Sequence, residues 1–235
     1  FKMLLCNSAN RPELERSYID MLRRNMVDGV IVNSLNIGAE AYAEMGLSLV
    51  GIDCDLGEAS VQIASDSYSI GELATRRLID DECSRILCLR SNSRMRMPAN
   101  KRTDAYLDVV EQAGLPALVR EVEFVKPDDE KSAVVAKILD ENPDIDGIFA
   151  GDDTMAAICL NVMKQRGLSA PGDIKVVGAD GARRTMTFMP DLTTVRQDID
   201  RIGELAAQSI IALINGEKPE SNIKLPVELI EGKTA

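Results

Sequence analysis

Short, uninterrupted apolar runs alternate with stretches of helical periodicity along almost the whole chain, and this alternation confines it to one broad fold class. The runs are Met3-Leu4-Leu5-Cys6, Val30-Ile31-Val32, Leu47–Ile52, Val61–Ala64, Arg85–Leu89, Val119–Val125, Gly147–Ala150, Ile174–Gly178 and Thr193-Thr194-Val195. They are rich in β-branched residues, too short for helices, and mostly lack polar alternation, so each is predicted to be a strand covered on both faces. Helices are predicted between them. One opens near Pro12 with Leu14, Tyr18, Met21 and Leu22 on one face, a short one covers Ala39–Met45, and a third carries Ile70, Leu73, Ala74 and Leu78. The next carries Ala105, Tyr106, Val109 and Val110 and stops at Gly114; another is capped by Asp128-Asp129, with Val134, Val135, Ile138 and Leu139 inward. Met155, Cys159, Val162 and Met163 mark a helix ending at Gly167, and Ile202, Leu205, Ala206, Ile210 and Leu213 mark a last one ending at Asn215-Gly216. Strands and helices in this rhythm form βαβ units, so the class is α/β with parallel sheets. Such sheets bind ligands at the carboxyl ends of their strands.

Composition then removes mechanisms. The 235 residues contain no His and no Trp. Catalysis by Ser-His-Asp or Cys-His, and His-ligated metal, are therefore excluded. Thirty-eight acids against 27 bases give a net charge of −11, which repels phosphate, so this segment is not expected to bind nucleic acid by itself. No apolar run is long enough to span a membrane. The start at Phe1-Lys2-Met3 lacks an initiator Met and a signal-peptide pattern, and reads as a start in mid-protein. Five scattered cysteines form no C-x-x-C pair, and Cys6, Cys54, Cys88 and Cys159 lie in or beside apolar runs. Buried free thiols in a reducing, cytoplasmic setting are the expectation.

No phosphate-binding glycine motif is present, and no cofactor is expected. Asp53-Cys54-Asp55 has a spacing that can hold a divalent cation, but two acids after a strand are more often a polar loop or a hydroxyl-binding site; no metal is expected. Asp152-Asp153 is either an acid/base pair or a helix start, with Asp153 as its N-cap. Arg94, Arg96, Lys101 and Arg102 are either solvated loop charges or a clamp for an anion or sugar.

Several segments together resemble the effector-binding core of the lactose/galactose repressor family of bacterial transcription regulators. They are Leu22–Val32, Val50-Gly51-Ile52-Asp53, Ala64-Ser65-Asp66, Gly147–Ala156, Arg166–Ile174, Val176-Val177-Gly178-Ala179-Asp180 and Pro190–Gln197. The resemblance implies two Rossmann-like subdomains of the periplasmic-binding-protein type, joined by three crossovers near Asp66, Gln197-Asp198 and Pro226-Val227. The first would hold residues 1–66 and 199–226, the second 67–198 and 227–235. An effector between them would control an operator-binding helix-turn-helix that lies outside this chain, in a homodimer.

The resemblance also carries a site. Asp53 and Asp180 match acids that accept sugar hydroxyls, and Arg102 matches an Arg in the first turn of its helix. Arg96 lies in a loop where some members contact ligand, Phe124 matches a stacking aromatic, and Asp152 stands where many members have Asn. Gln197 sits at a hinge within reach of ligand or water. Three acids, an Arg and an aromatic suit a neutral, polyhydroxylated ligand. Alternatives remain: Phe124 as core, Gln197 as hinge only.

One departure is that Met3–Cys6 aligns with the family's second strand, so a first strand–helix unit is missing. A chain starting at Phe1 would then expose edges of both Met3–Cys6 and Val30–Val32, and is expected to be insoluble or to recruit a strand from another chain. Competing readings are an exported sugar-binding protein of a transport system, and an enzyme using Asp53, Asp152 and Asp180 on a bound sugar.

Overall fold

The computed structural model describes residues 1–9, 11–22, 24, 27–34, 42, 46–54, 56–57, 60–91, 98–123 and 126–235. The helix expected over Ala39–Met45, apart from Tyr42, lies outside them, as do Arg94, Arg96 and Phe124. The chain divides into two compact units. One contains Phe1–Ser65 and Ile199–Leu225, the other Asp66–Arg94, Ala99–Asp198 and Pro226–Ala235.

In the first unit, strands β1 (Gly29–Val32), β2 (Ser48–Ile52), β3 (Val61–Ser65) and β9 (Asn222–Leu225) form a parallel sheet in the order β1-β2-β3-β9. Helix α1 (Pro12–Leu22) contributes Ile19 to a cluster with Val32, Tyr42, Leu49 and Leu56. Helix α7 (Ile199–Ile214) contributes Ile202 and Ala206 to another with Val50, Val61 and Ile63. The centre of the sheet, β2 and β3, is thus covered by these clusters, whereas Ile31 of the edge strand β1 is exposed.

In the second unit the order is β10 (Val227–Ile230), β8 (Thr193–Gln197), β7 (Lys175–Asp180), β6 (Gly147–Ala150), β4 (Ile86–Ser91), β5 (Leu118–Val122). All neighbours are parallel except β10, which runs antiparallel to β8. Helices α2 (Ser67–Asp80) and α3 (Lys101–Gln112) pack with Ile70, Leu78, Tyr106 and Val110 against Cys88, Phe149, Val177 and Val195. Helices α4 (Asp128–Glu141) and α5 (Asp153–Gln165) pack with Val135, Ile138, Cys159 and Met163 against Leu87, Ile148 and Val176. A glycine sets the distance between α2 and α3. A Cβ on Gly71 would stand 2.1 Å from the carbonyl oxygen of Arg102, so the close approach that seats the start of α3 depends on the missing side chain.

Four sequence expectations need correction. Met3–Cys6 is not a strand: the segment has no regular structure, pairs with no strand, and leaves Met3 and Leu5 exposed. An apolar run becomes a strand only where a neighbour takes up its backbone groups, and among the described residues β1 pairs with β2 alone. Of the expected face of α1, Leu22 is buried, while Leu14, Tyr18 and Met21 are half-buried and Glu15 and Ile19 are buried in their place. The burial of Glu15 is tolerable because the Tyr42 hydroxyl donates to its Oε1 at 2.5 Å. Pro127, not an aspartate, occupies the N-cap of α4, and Asp128 and Asp129 lie in its first turn, where their charge complements the helix dipole. Among the thiols, Cys54, Cys83, Cys88 and Cys159 are buried, and Cys6 is exposed with the segment around it. Strands β9 and β10 and the short helix α6 (Arg183–Phe188) are elements that the hydrophobic pattern did not announce.

Candidate functional site

In a parallel sheet flanked by helices, chemistry collects where strands end and helices begin. In the second unit α3 follows β4 and α5 follows β6, two adjacent strands whose chain connections leave in opposite directions along the sheet. Both helix starts therefore flank the switch point of the sheet, and the carboxyl ends of β7 and β8 lie next in order.

Each of these four places supplies one side chain. Arg102 is the second residue of α3; Asp152 precedes α5; Asp180 ends β7; Gln197 ends β8. Asp180 and Arg196 are register partners in the β7–β8 ladder, which sets Gln197 just beyond Asp180. The Arg102 guanidinium lies mostly buried and uses both ends of its fork. Nη1 donates to the Gly151 carbonyl at 2.5 Å, and Nη2 donates to Asp180 Oδ1 at 3.2 Å. Gln197 Nε2 donates to the same Oδ1 at 2.6 Å. Two donors thus hold Asp180 through one oxygen, and Oδ2 has no hydrogen-bond donor among the described residues.

Asp152 is the N-cap of α5. Its backbone is extended and its Oδ1 accepts from Met155 N at 2.8 Å. This corrects the expectation that Asp153 would be the cap. Asp153 is instead the first helical residue, and it is buried. Its Oδ2 accepts from Gly181 N at 2.8 Å and its Oδ1 from Thr194 Oγ1 at 2.6 Å. Gly151 O, Asp153 and Thr194 are thus parts of the arrangement that sequence reasoning did not assign. One signal was available: Gly178 interrupts a β-branched strand, and a strand glycine often marks a place where another group approaches closely.

The electrostatics follow from three carboxylates around one guanidinium. Burial pushes the Asp180 carboxyl up to about 6; Arg102 pulls it down, and Asp152 and Asp153 push it up. Burial also raises Asp153, opposed by the hydrogen bonds from Thr194 and Gly181.

Asp53 belongs to the first unit. It follows β2 in a left-handed conformation, φ 50°, with its N–H donating to Ile63 O at 3.0 Å. Asp55, the second acid of the D-x-D spacing, lies outside the described residues, as do Arg96 and Phe124. Lys101 is exposed. Among the described residues no group of three His, Cys, Asp or Glu is placed to hold a metal ion, and no helix is long and apolar enough to cross a membrane.

Residues 75–235 match the periplasmic binding protein-like domain family. Along its whole length the chain is 34% identical to the sucrose operon repressor of Pediococcus pentosaceus, of which it covers 72%. The chain belongs to the LacI family. A second relative, the ribose operon repressor of Halalkalibacterium halodurans, is 30% identical over 100% of this chain and 70% of its own length. Among solved structures, a periplasmic binding protein/LacI transcriptional regulator from Alkaliphilus metalliredigens, complexed with D-xylulofuranose, superposes with a TM-score of 0.86. That pair shares 26% identity and covers 100% of this chain and 88% of the other. A CelR–cellobiose complex superposes with a TM-score of 0.83 at 25% identity, over 95% and 70% of the two chains. The fold is periplasmic-binding-protein-like, and the chain is the effector-sensing domain of a LacI-family regulator. The alternative of an exported transport protein yields to relatives that are operon repressors.

Proposed function

We propose that this domain binds a neutral sugar or sugar derivative through Asp180, Arg102, Asp152 and Gln197, without turning it over. The bound sugar would set the affinity of a helix-turn-helix head for operator DNA in a cytoplasmic homodimer. The observation that carries this reading is the state of Asp180. It is held by Arg102 and Gln197 through Oδ1 alone, which leaves Oδ2 as an acceptor for ligand hydroxyls. Asp152 likewise spends Oδ1 on its helix. Carboxylates only accept, so the ligand must bring donors. A third acid, Asp153, stands beside them, so a phosphorylated ligand would meet a negative field that Arg102 offsets in part. The relatives' names agree in kind: they are repressors of sucrose and ribose operons, and the solved neighbours hold D-xylulofuranose and cellobiose. From the family resemblance we add Asp53, Arg96 and Phe124 as further contacts. Within the dimer, α1 and α5 are assigned to the vicinity of the partner.

The experiment is calorimetry of the full-length protein against a panel of neutral mono- and disaccharides, purines and sugar phosphates. Binding of a neutral sugar that also shifts operator affinity supports the reading; binding confined to purines or phosphorylated compounds refutes it.

A pH dependence follows, and its sign can be worked out. The form that accepts ligand hydroxyls is the carboxylate, and Asp180 gains a proton as pH falls through about 6. Sugar affinity is expected to be flat above that value and to weaken below it, by at most about tenfold per pH unit for one coupled proton. Stability of the unliganded domain responds with the opposite sign. The folded pKa lies above the ordinary 3.8, so this group's contribution is complete below 3.8 and is lost as pH rises through about 6. Titration calorimetry and urea melts over pH 4–8 measure the two separately.

A further inference from the structure

We propose that Asp153 is the positioning residue of the site: its two carboxylate oxygens fix the direction in which Asp180 is presented to ligand. The proposal rests on the reading of Asp180 as the ligand's acceptor.

Asp180 has φ 118° and Gly181 has φ 58°, so the chain leaves β7 through two residues with positive φ, the first of which is not glycine. L-residues rarely adopt that conformation, and it persists where neighbouring contacts determine it. The peptide joining the two residues carries the contact. Its N–H, on Gly181, donates to Asp153 Oδ2 at 2.8 Å in buried surroundings. The other oxygen is tied to the next strand, where Thr194 Oγ1 donates to Oδ1 at 2.6 Å. Thr194 is the register partner of Gly178, two residues before Asp180, and lies three residues before Gln197. One carboxylate therefore locks the exit of β7 to β8, the two strands that deliver Asp180 and Gln197.

Room for this carboxylate depends on residue 178. A Cβ on Gly178 would stand 2.5 Å from Asp153 Oδ1 and 3.4 Å from the Ala156 Cβ. A glycine inside an otherwise β-branched strand weakens the strand, and here it admits the acid. The chemistry also requires an acid rather than an amide. Both bonds come from donors, the Gly181 N–H and the Thr194 hydroxyl. A carboxylate accepts both, and an amide would set its NH2 against one of them. Asp153 thus acts on the ligand through Asp180, without touching it.

The test uses the full-length protein and Asp153→Asn, a near-isosteric change, with Thr194→Val as a second variant that keeps the charge and removes one tether. Two readouts are needed: affinity for the neutral sugar that binds best in the panel above, and the NMR signals of the Gly181 amide and the Asp180 carboxyl without ligand. The expected result is at least a tenfold loss of sugar affinity in Asp153→Asn and a smaller loss in Thr194→Val. Displaced Asp180 and Gly181 signals and faster exchange of the Gly181 amide should accompany both. A lower melting temperature with unchanged signals and unchanged affinity in the folded protein means a purely structural acid, and overturns the proposal. If the wild type binds no sugar, the sugar reading fails, and the signals alone decide the proposal. Displacement supports Asp153 as the residue that sets Asp180, and unchanged signals refute it.

Discussion

Replacing Asp180 by Ala is expected to reduce sugar affinity by roughly 10²- to 10⁴-fold, the largest functional effect of any single change in this domain. The estimate takes two ligand hydroxyls on the carboxylate at about 1.5–3 kcal/mol per charge-assisted hydrogen bond. The change also strips Arg102 Nη2 and Gln197 Nε2 of their shared acceptor. Gln197 Nε2 then loses this acceptor, and the Arg102 guanidinium is held through Nη1 on the Gly151 carbonyl, which adds to the loss. Asp180→Asn separates shape from charge: it keeps one acceptor oxygen and removes the group that titrates at about 6, so the pH dependence of binding should vanish together with most of the affinity. Calorimetry on the two variants measures both effects. Unchanged affinity in Asp180→Ala would show that the ligand sits elsewhere.

Phe149→Ala should destabilise the second unit by about 3–5 kcal/mol, the usual range for a large-to-small change in a core. Phe149 lies in β6 between Cys88 of β4 and Val177 of β7, fully buried. Helix α2 covers it through Ile70 and Ala74, and α3 through Tyr106. With sheet neighbours on both sides and helices above, the surroundings have little freedom to collapse into the space left. Against a typical net stability of roughly 5–15 kcal/mol, this is a large share. Urea unfolding of the second unit should show a lower midpoint with an unchanged slope. A shift below about 1 kcal/mol would mean that the cavity refills and that the packing around β6 is looser than its burial indicates.

The two variants probe parts of the molecule that differ in how readable they were. Phe149 lies in Gly147–Ala150, a run whose strand limits follow from its apolar residues and the glycine before it. The helices over 67–80, 101–112, 153–165 and 199–214 were legible for the same reason, since their inward residues recur at helical spacing. Asp180 was legible in another way. Its place after Val176-Val177-Gly178-Ala179 put it at a strand's carboxyl end, and the resemblance to a regulator family gave it a role. Its hold on Arg102 and Gln197, 78 and 17 residues away in sequence, was not readable.

Hydrophobic periodicity is a local property, carried by residues three or four apart in a helix and by unbroken runs in a buried strand. By itself the sequence therefore determined the α/β class, the positions of most strands and helices, and the exclusion of histidine chemistry. The partners of polar groups are not local. Asp153 meets a donor 28 residues away and another 41 away, and Glu15 meets Tyr42 across 27 residues. Those distances close only when the sheets form, so tertiary structure decided that Asp153 is buried, which leaves the cap of α5 to Asp152 through a bond only three residues long, and which face α1 turns inward. It also decided that Met3–Cys6, apolar as it is, forms no strand, because a strand exists only through the backbone groups of a neighbour.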